Sequence, residues 1–476
     1  MPARPSLSPP TKPLDLQTVH PRPLKPILPP PSNKSANLPG LPSPPREPLA
    51  SLAASYVLST HILPSARPRS APYVRVPEDL SPEYGERIRD KAEKRRWVVQ
   101  VVDWLLDVRG KFASGELGRE DDEGEGMWNV VNRYVTKDSG KKKGKGVTLF
   151  LVHATGFPKE IWEPTLAHLV SQSSSSGTYI DEIWTWESVQ HGDAALLNER
   201  IINHNSLCDW RDNARDILNF LSHYLPPPSH SQQNYPPRPY SPVSVHLQHV
   251  PASLTRQRLE RGFEAEGRTL VVAGHSYGGC TSTLAALNYP VLFTGGLILI
   301  DPVILPYGRY NQEIKLQMTA GAVGRRMRWK DREEALSLFS ASPFFSVWDP
   351  DVLKVYVECG LADCESEGGV RLKMSGFQEA AMFADTQVAY EVFERLPDLD
   401  PRVELKWVLP GNPKPGDIGG VEIQPYRAWR RPHNSSNVLI PGAGHLITQE
   451  APRALAEEMW AFVESKAGGG EVRARL

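Results

Sequence analysis

Short apolar runs, each closed by glycine, proline or polar residues, recur along most of this chain. They are Val147-Thr148-Leu149-Phe150-Leu151-Val152, Thr269-Leu270-Val271-Val272-Ala273, Gly296-Leu297-Ile298-Leu299-Ile300, the segment 404–409 and Asn437-Val438-Leu439-Ile440. Continuous apolar runs of this length mark strands covered on both faces, as in a parallel sheet. Helical spacing appears between and after them, over 209–222, 280–288 and 451–466. Strand alternating with helix predicts an α/β domain built on a mostly parallel sheet with flanking helices. Trp128 to Val135 reads as a hairpin start leading into that sheet, and Trp97 to Leu106 as an amphipathic helix in the charged stretch 78–126. Residues 55–76 carry apolar patches suited to an early strand or clasp.

Between Pro302 and Arg402 the strand pattern stops for about a hundred residues. Segments 332–339, 351–359 and 377–393 have helical spacing with apolar faces, which predicts a helical lid over the sheet edge. Phe344, Phe345, Trp348, Met374, Phe377, Met382 and Phe383 are its candidate lining, against the alternative that they only pack the lid. Residues 1–50 hold 16 prolines and no hydrophobic period, which predicts a disordered or polyproline-like arm. Proline clusters at 226–228 and 236–239 predict a low-complexity surface loop over 225–265. The expected organisation is a disordered segment 1–54, an extension 55–126 with a charged helical insertion, and a core 127–302. A lid 303–402, a second core part 403–467 and a flexible tail 468–476 complete it.

A net charge of −1 argues against nucleic-acid binding, which calls for a basic face. Four irregularly spaced cysteines suit reduced thiols rather than a disulfide framework. No apolar run approaches the ~18 residues of a membrane span. The acidic run 120–125 and the lysines 141–143 read as solvated loops.

The chemistry concentrates at Gly274-His275-Ser276-Tyr277-Gly278-Gly279, between a buried-strand pattern and a helix pattern. Gly-x-Ser-x-Gly in that context makes a nucleophile elbow: a sharp turn that presents the serine hydroxyl at the tip of an α/β-hydrolase sheet. Upstream, His153-Ala154-Thr155-Gly156-Phe157 follows a strand where that fold places its oxyanion loop. Downstream, Gly444-His445 follows the last strand, where the general base belongs in the order Ser…acid…His. Two carboxylates can serve as the acid. Asp301 ends a strand and precedes Pro302, whereas Asp417 lies in the long loop 411–420. A carboxylate that orients imidazole needs a stiff support, which favours Asp301. His191-Gly192-Asp193 lies at the same sheet edge. There Asp193 is expected to cap the next helix and His191 to brace the oxyanion loop.

These segments resemble a fungal α/β-hydrolase group that includes a peroxisomal lipase and enzymes of host-selective toxin biosynthesis. The resemblance rests on His153-Ala154-Thr155-Gly156-Phe157-Pro158-Lys159-Glu160, His191-Gly192-Asp193-Ala194, Ile300-Asp301-Pro302-Val303 and Gly444-His445-Leu446 with 449–452, and covers about residues 127–465. It implies the α/β-hydrolase fold and supports Asp301 as the acid. Ala154 departs from the glycine of many superfamily members and tightens the oxyanion loop.

The expected activity is that of a serine hydrolase on a carboxylic ester with a hydrophobic acyl part. Ser276 is the nucleophile, His445 the base and Asp301 the acid, with the N–H groups of Thr155 and Tyr277 receiving the oxyanion. An acyl-CoA thioesterase or acyltransferase of secondary metabolism, and a silent binding protein on the same fold, are the alternatives. No metal or organic cofactor is implied. Ala474-Arg475-Leu476 has the small-basic-leucine form of a peroxisomal signal, so an import receptor is an expected partner, with the cytoplasm as alternative.

Overall fold

The computed structural model describes residues 4–29, 38–117, 126–137, 146–172, 178–228, 243–364, 368–413, 417–418 and 420–467. The acidic run 120–125, the lysines 141–143 and the tripeptide Ala474-Arg475-Leu476 lie outside them. Eight strands form one sheet. Along the chain they are β1 (Tyr56–Pro64), β2 (Trp128–Thr136), β3 (Gly146–Val152), β4 (Tyr179–Glu187), β5 (Thr269–His275) and β6 (Leu297–Ile300), and, after the lid, β10 (Leu405–Pro410) and β11 (Ser435–Ile440). The spatial order is β1-β2-β4-β3-β5-β6-β10-β11. β1, β2 and β4 pair antiparallel, and every pairing from β4 through β3, β5, β6 and β10 to β11 is parallel.

β5 is central because both its faces are covered, and six of its seven residues are buried. Two large apolar clusters lie on either side of the sheet. One gathers Phe150, Val272 and Leu299 with Phe220 and Leu284; the other gathers Leu149, Val271 and Ile298 with Trp162 and Met459. The alternation of side chains along each strand sends neighbours to opposite clusters. The helix Lys91–Ser114 begins where Asp90 accepts the Glu93 N–H and stops at Gly115, held at φ +80. Its buried face, Trp97, Val101, Val102, Leu105 and Val108, follows helical spacing.

Four expectations are corrected. The first is the disordered arm. Leu7, Leu14, Leu16, Val19, Leu24 and Ile27 pack against the core cluster. Arg22 pairs with Glu391, and Arg46 with the fully buried Glu163. The arm also covers an open sheet edge: the Leu439 N–H of β11 donates to the Pro5 carbonyl at 2.8 Å. Proline restricts the unfolded chain, so pinning such a segment costs less entropy than pinning an ordinary loop. Second, the early strand expected within 55–76 forms as β1, but it belongs to the core sheet, its nine residues paired with β2, so the core does not begin at 127. Third, residues 252–261 of the supposed low-complexity loop form a helix.

Fourth, the lid is not purely helical. It carries helices at Gln312–Gly324, Arg332–Ser340, Pro350–Gly360, Gly376–Ala384 and Gln387–Arg395. It also carries a small antiparallel sheet, in the order β7 (Arg328–Trp329), β9 (Val370–Leu372) and β8 (Leu361–Asp363). The helix expected over 377–393 breaks at Asp385, whose carboxylate is buried between Arg109 and the Trp210 N–H.

Removing residues 2–13 strips β11 of its edge bond, together with the bonds of Leu7 to Asn437 and Trp429. At about 1 kcal/mol per bond, the truncated protein is expected to lose about 3 kcal/mol and to aggregate through the exposed edge. Thermal denaturation with light scattering checks this, and an unchanged melting profile contradicts the arm's structural role.

Candidate active site

Ser276 stands at the turn between β5 and the helix Tyr277–Asn288, at φ 56 and ψ −120. L-residues avoid this region because Cβ crowds the backbone. The turn is packed closely: a Cβ on Gly278 would sit 2.4 Å from the His153 carbonyl oxygen, so only glycine lets the helix approach the oxyanion loop. Asp301, one residue beyond β6, is also held at positive φ, at 32°.

The two side chains meet at His445, in the loop after β11. The His445 Nδ1–H donates to Asp301 Oδ2 at 2.6 Å, and Nε2 accepts the Ser276 hydroxyl at 3.0 Å. Asp301 has almost no exposure, and the His445 side chain retains 17%. Burial opposes the Asp301 charge, yet Arg427 first and then His445 hold its carboxyl below the ordinary range. Asp417 lines the cavity above Ser276 rather than meeting the His445 ring.

The His445 loop is braced from below by His275, which the sequence reading did not single out. Its Nε2–H donates to the His445 carbonyl at 2.9 Å, and its Nδ1 faces Thr448 Oγ1 at 3.2 Å. Burial, with His445 next, pushes the His275 imidazole down to about 3, so it is neutral. Its signal was its place beside the serine.

On the oxyanion side, Thr155 lines the same cavity as Ser276, and the Tyr277 N–H opens the helix, where N–H groups lack intrahelical acceptors. His153 is fully buried beneath the loop, donating from Nδ1 to the Ala154 carbonyl at 2.8 Å and accepting the Ser188 N–H at 3.3 Å. Burial pushes its imidazole down to about 4.

His191 packs its ring 4.5 Å from that of His153 and bonds Ser188, as a brace would. Asp193 is not a cap. It accepts from Lys159 Nζ at 2.8 Å and Lys373 Nζ at 2.6 Å, and the carboxylate at the helix start is Glu187, which accepts the Ala194 N–H at 3.2 Å.

Ser276 opens into a cavity of about 680 Å³. Three of the expected lid residues, Phe344, Phe345 and Phe383, line it, as do Tyr310, Ile314 and Met318. Trp348, Phe377 and Met382 are buried in the packing of the lid instead. Met374 borders a smaller hollow beside Gly156 and Arg325.

A model of the alpha/beta hydrolase family matches residues 149–458. A type I acyl-CoA thioesterase, mpaH' of Penicillium brevicompactum, is 29% identical over 174 residues, 37% of this chain and 30% of the relative. The peroxisomal membrane protein LPX1 of Saccharomyces cerevisiae is 28% identical over 159 residues, 33% of this chain and 31% of the relative. The chain thus spans about a third of the length of these relatives. Among solved structures, the peroxisomal alpha-beta-hydrolase Lpx1 of S. cerevisiae superposes with a TM-score of 0.59 at 17% identity, over 89% of this chain and 92% of that one, a likeness in fold.

The short His445–Asp301 bond predicts a proton resonance far downfield of the amides. It is expected to persist in Asp417→Asn and vanish in Asp301→Asn. One-dimensional ¹H NMR of the folded variants reads this, and the opposite pattern reverses the two aspartates.

Proposed function

The chain belongs to the alpha/beta hydrolase family, and we propose that it transfers the acyl group of an ester or thioester to water through Ser276. The observation that carries this reading is the hydrogen-bonded line from Ser276 through His445 to Asp301, opening into a largely apolar cavity. His445 takes the hydroxyl proton as Ser276 attacks the carbonyl, and later returns it to the leaving group. Asp301 fixes the tautomer that leaves Nε2 free to accept and stabilises the imidazolium. The Thr155 and Tyr277 N–H groups receive the oxyanion, each such donor being worth roughly 3 kcal/mol of barrier. Water then repeats the sequence on the acyl-enzyme.

The apolar lining supports a substrate with a hydrophobic acyl part. Between ester and thioester, the similarity to fungal acyl-CoA thioesterases favours the thioester. The peroxisomal relative likewise supports a peroxisomal location.

A fluorophosphonate probe is expected to label intact protein at Ser276 and to leave Ser276→Ala unlabelled. Asp301→Asn is expected to lower kcat by about 10⁴, the loss seen when a triad acid no longer holds the tautomer, with Asp417→Asn changing it only a few-fold. Acyl-CoAs of graded length set against matched p-nitrophenyl esters decide the leaving group, and kcat/KM is expected to rise with chain length and to favour the CoA series. Absence of labelling beside a labelled control hydrolase sinks the enzyme reading.

Location is tested separately. The N-terminally tagged protein is expected to co-sediment with peroxisomal markers in a fungal cell, and a purely cytosolic distribution refutes it.

A further inference from the structure

Arg427 has no solvent exposure, yet the partners of its guanidinium, Asp301, Pro302 and Ile418, all lie at the candidate active site. It sits on the helix Gly420–Ala428, after the loop that carries Asp417. Its Nη1 donates to Asp301 Oδ1 at 3.1 Å and to the Ile418 carbonyl at 3.2 Å, and its Nη2 donates to the Pro302 carbonyl. The other Asp301 oxygen is the one bound to His445.

We propose that Arg427 is a positioning residue for the acyl transfer read above: its guanidinium clamps Asp301 so that the carboxylate keeps its charge and one fixed oxygen for His445. The inference rests on that reading of Ser276. With Oδ1 tied to Arg427 and Oδ2 to His445, the carboxylate plane cannot turn, so the imidazole keeps its orientation. The same guanidinium holds Pro302, next to the acid, and Ile418 in the cavity wall. Acid, base and one wall of the cavity therefore move together. A lysine cannot reproduce this fork, because its ammonium is a point charge without planar donors.

The clamp has an electrostatic consequence. A cation in contact with a carboxylate favours its ionised form by about 1–3 pK units. The same positive charge also disfavours a proton on the neighbouring imidazole. The other groups facing the pair are few. His275 lies below, its ring 5.4 Å from that of His445, and is neutral. Glu450 accepts the Gly444 N–H at 2.7 Å, and Asp417 and Glu450 both line the cavity wall. Arg427 is the cation in direct contact with Asp301.

Removing Arg427 raises the proton affinity of both Asp301 and His445, so the pair is protonated, and Ser276 loses its base, at a higher pH. A merely structural arginine would change folding or maximal rate without moving that midpoint.

The test measures the rate of fluorophosphonate labelling of Ser276 against pH in the full-length wild type, Arg427→Gln and Arg427→Lys, with folding checked by circular dichroism. Arg427→Gln is expected to move the acid midpoint up by about one unit or more. Arg427→Lys, which keeps the charge, is expected to hold the midpoint within about a third of a unit and to lower the plateau rate several-fold. A folded Arg427→Gln with an unmoved midpoint overturns the proposal. Should that variant not fold, Arg427→Lys decides: a raised midpoint, or a plateau equal to wild type, overturns it. A parallel NMR titration of the His445 ring reads the same midpoint without the serine. A wild type that does not label therefore sinks the enzyme reading, while the titration still decides the role of Arg427.

Discussion

Two neighbouring residues are held in backbone conformations that L-amino acids avoid, and the site exists because the sheet keeps them there. Ser276 and Asp301 both have positive φ, at a cost of about 1–3 kcal/mol each. The bonds that hold them are shared. The Ser276 N–H donates to the Ile300 carbonyl at 2.9 Å, the Val303 N–H to the Ser276 carbonyl at 3.0 Å, and the Asp301 N–H to the Val408 carbonyl at 2.9 Å. Neither turn can relax without breaking a bond to the other or to β10. The strain is thus carried by three parallel strands buried on both faces, which a loop could not supply. Asn434 is the one other non-glycine residue at positive φ among those described, and it sits at a turn away from the site.

Charge is managed in the same way beneath the oxyanion loop. Lys159 has no exposure and is surrounded by Glu160, Glu187 and Asp193. Burial opposes its charge, but Asp193 and its neighbours outweigh this and hold the ammonium well above the usual lysine range. Asp193 also binds Lys373, from the lid. One network therefore joins the start of the helix after the oxyanion loop, the loop after β4 and the lid. Such a network is a poor source of net stability, since desolvation of the ions offsets most of their attraction. Its effect is to fix register: a shift of the loop would leave a buried charge unpaired. The packing around it leaves no room for extra bulk: a Cβ on Gly192 would meet the buried Glu187 carboxylate at 1.7 Å.

How much of this was legible in the sequence depended on whether the signal was local. The buried strands, the elbow at Ser276 and the histidine after the last strand are contiguous patterns, and the fold follows from them. Asp301 was favoured over Asp417 on stiffness, a local property of a strand end before proline, and it is the carboxylate that meets His445. Arg427 is invisible because its meaning lies in a partner 126 residues away, and His275 stands beside the serine but braces a loop 170 residues away. The arm escapes a local reading for a related reason. Its leucines have no period, and its anchors are arginines that find acids on distant helices. The lid's strands, two or three residues each, are too short to show alternation.

The distinction between ester and thioester does not lie in the Ser276 line, which would meet the same carbonyl in both. It lies in what the surroundings ask of the leaving group. The cavity lining carries Glu379, Asp385, Asp417 and Glu450 against the single guanidinium of Arg325. Arg325 is already engaged by Glu379, and Asp385 by Arg109. A phosphate-bearing leaving group drawn into that cavity would meet unfavourable charge at close range. Under the proposed acyl transfer, the acyl chain would lie inside, against Tyr310, Ile314 and Met318, with the scissile bond at Ser276. A polyanionic head would then stay toward solvent, on the side of the exposed Phe344, where water screens the carboxylates. For a thioester this arrangement leaves only the slender, uncharged part of the thiol to cross the rim. The acidity of the cavity would thus set which way round a substrate of the proposed kind lies, with the apolar lining toward its acyl end.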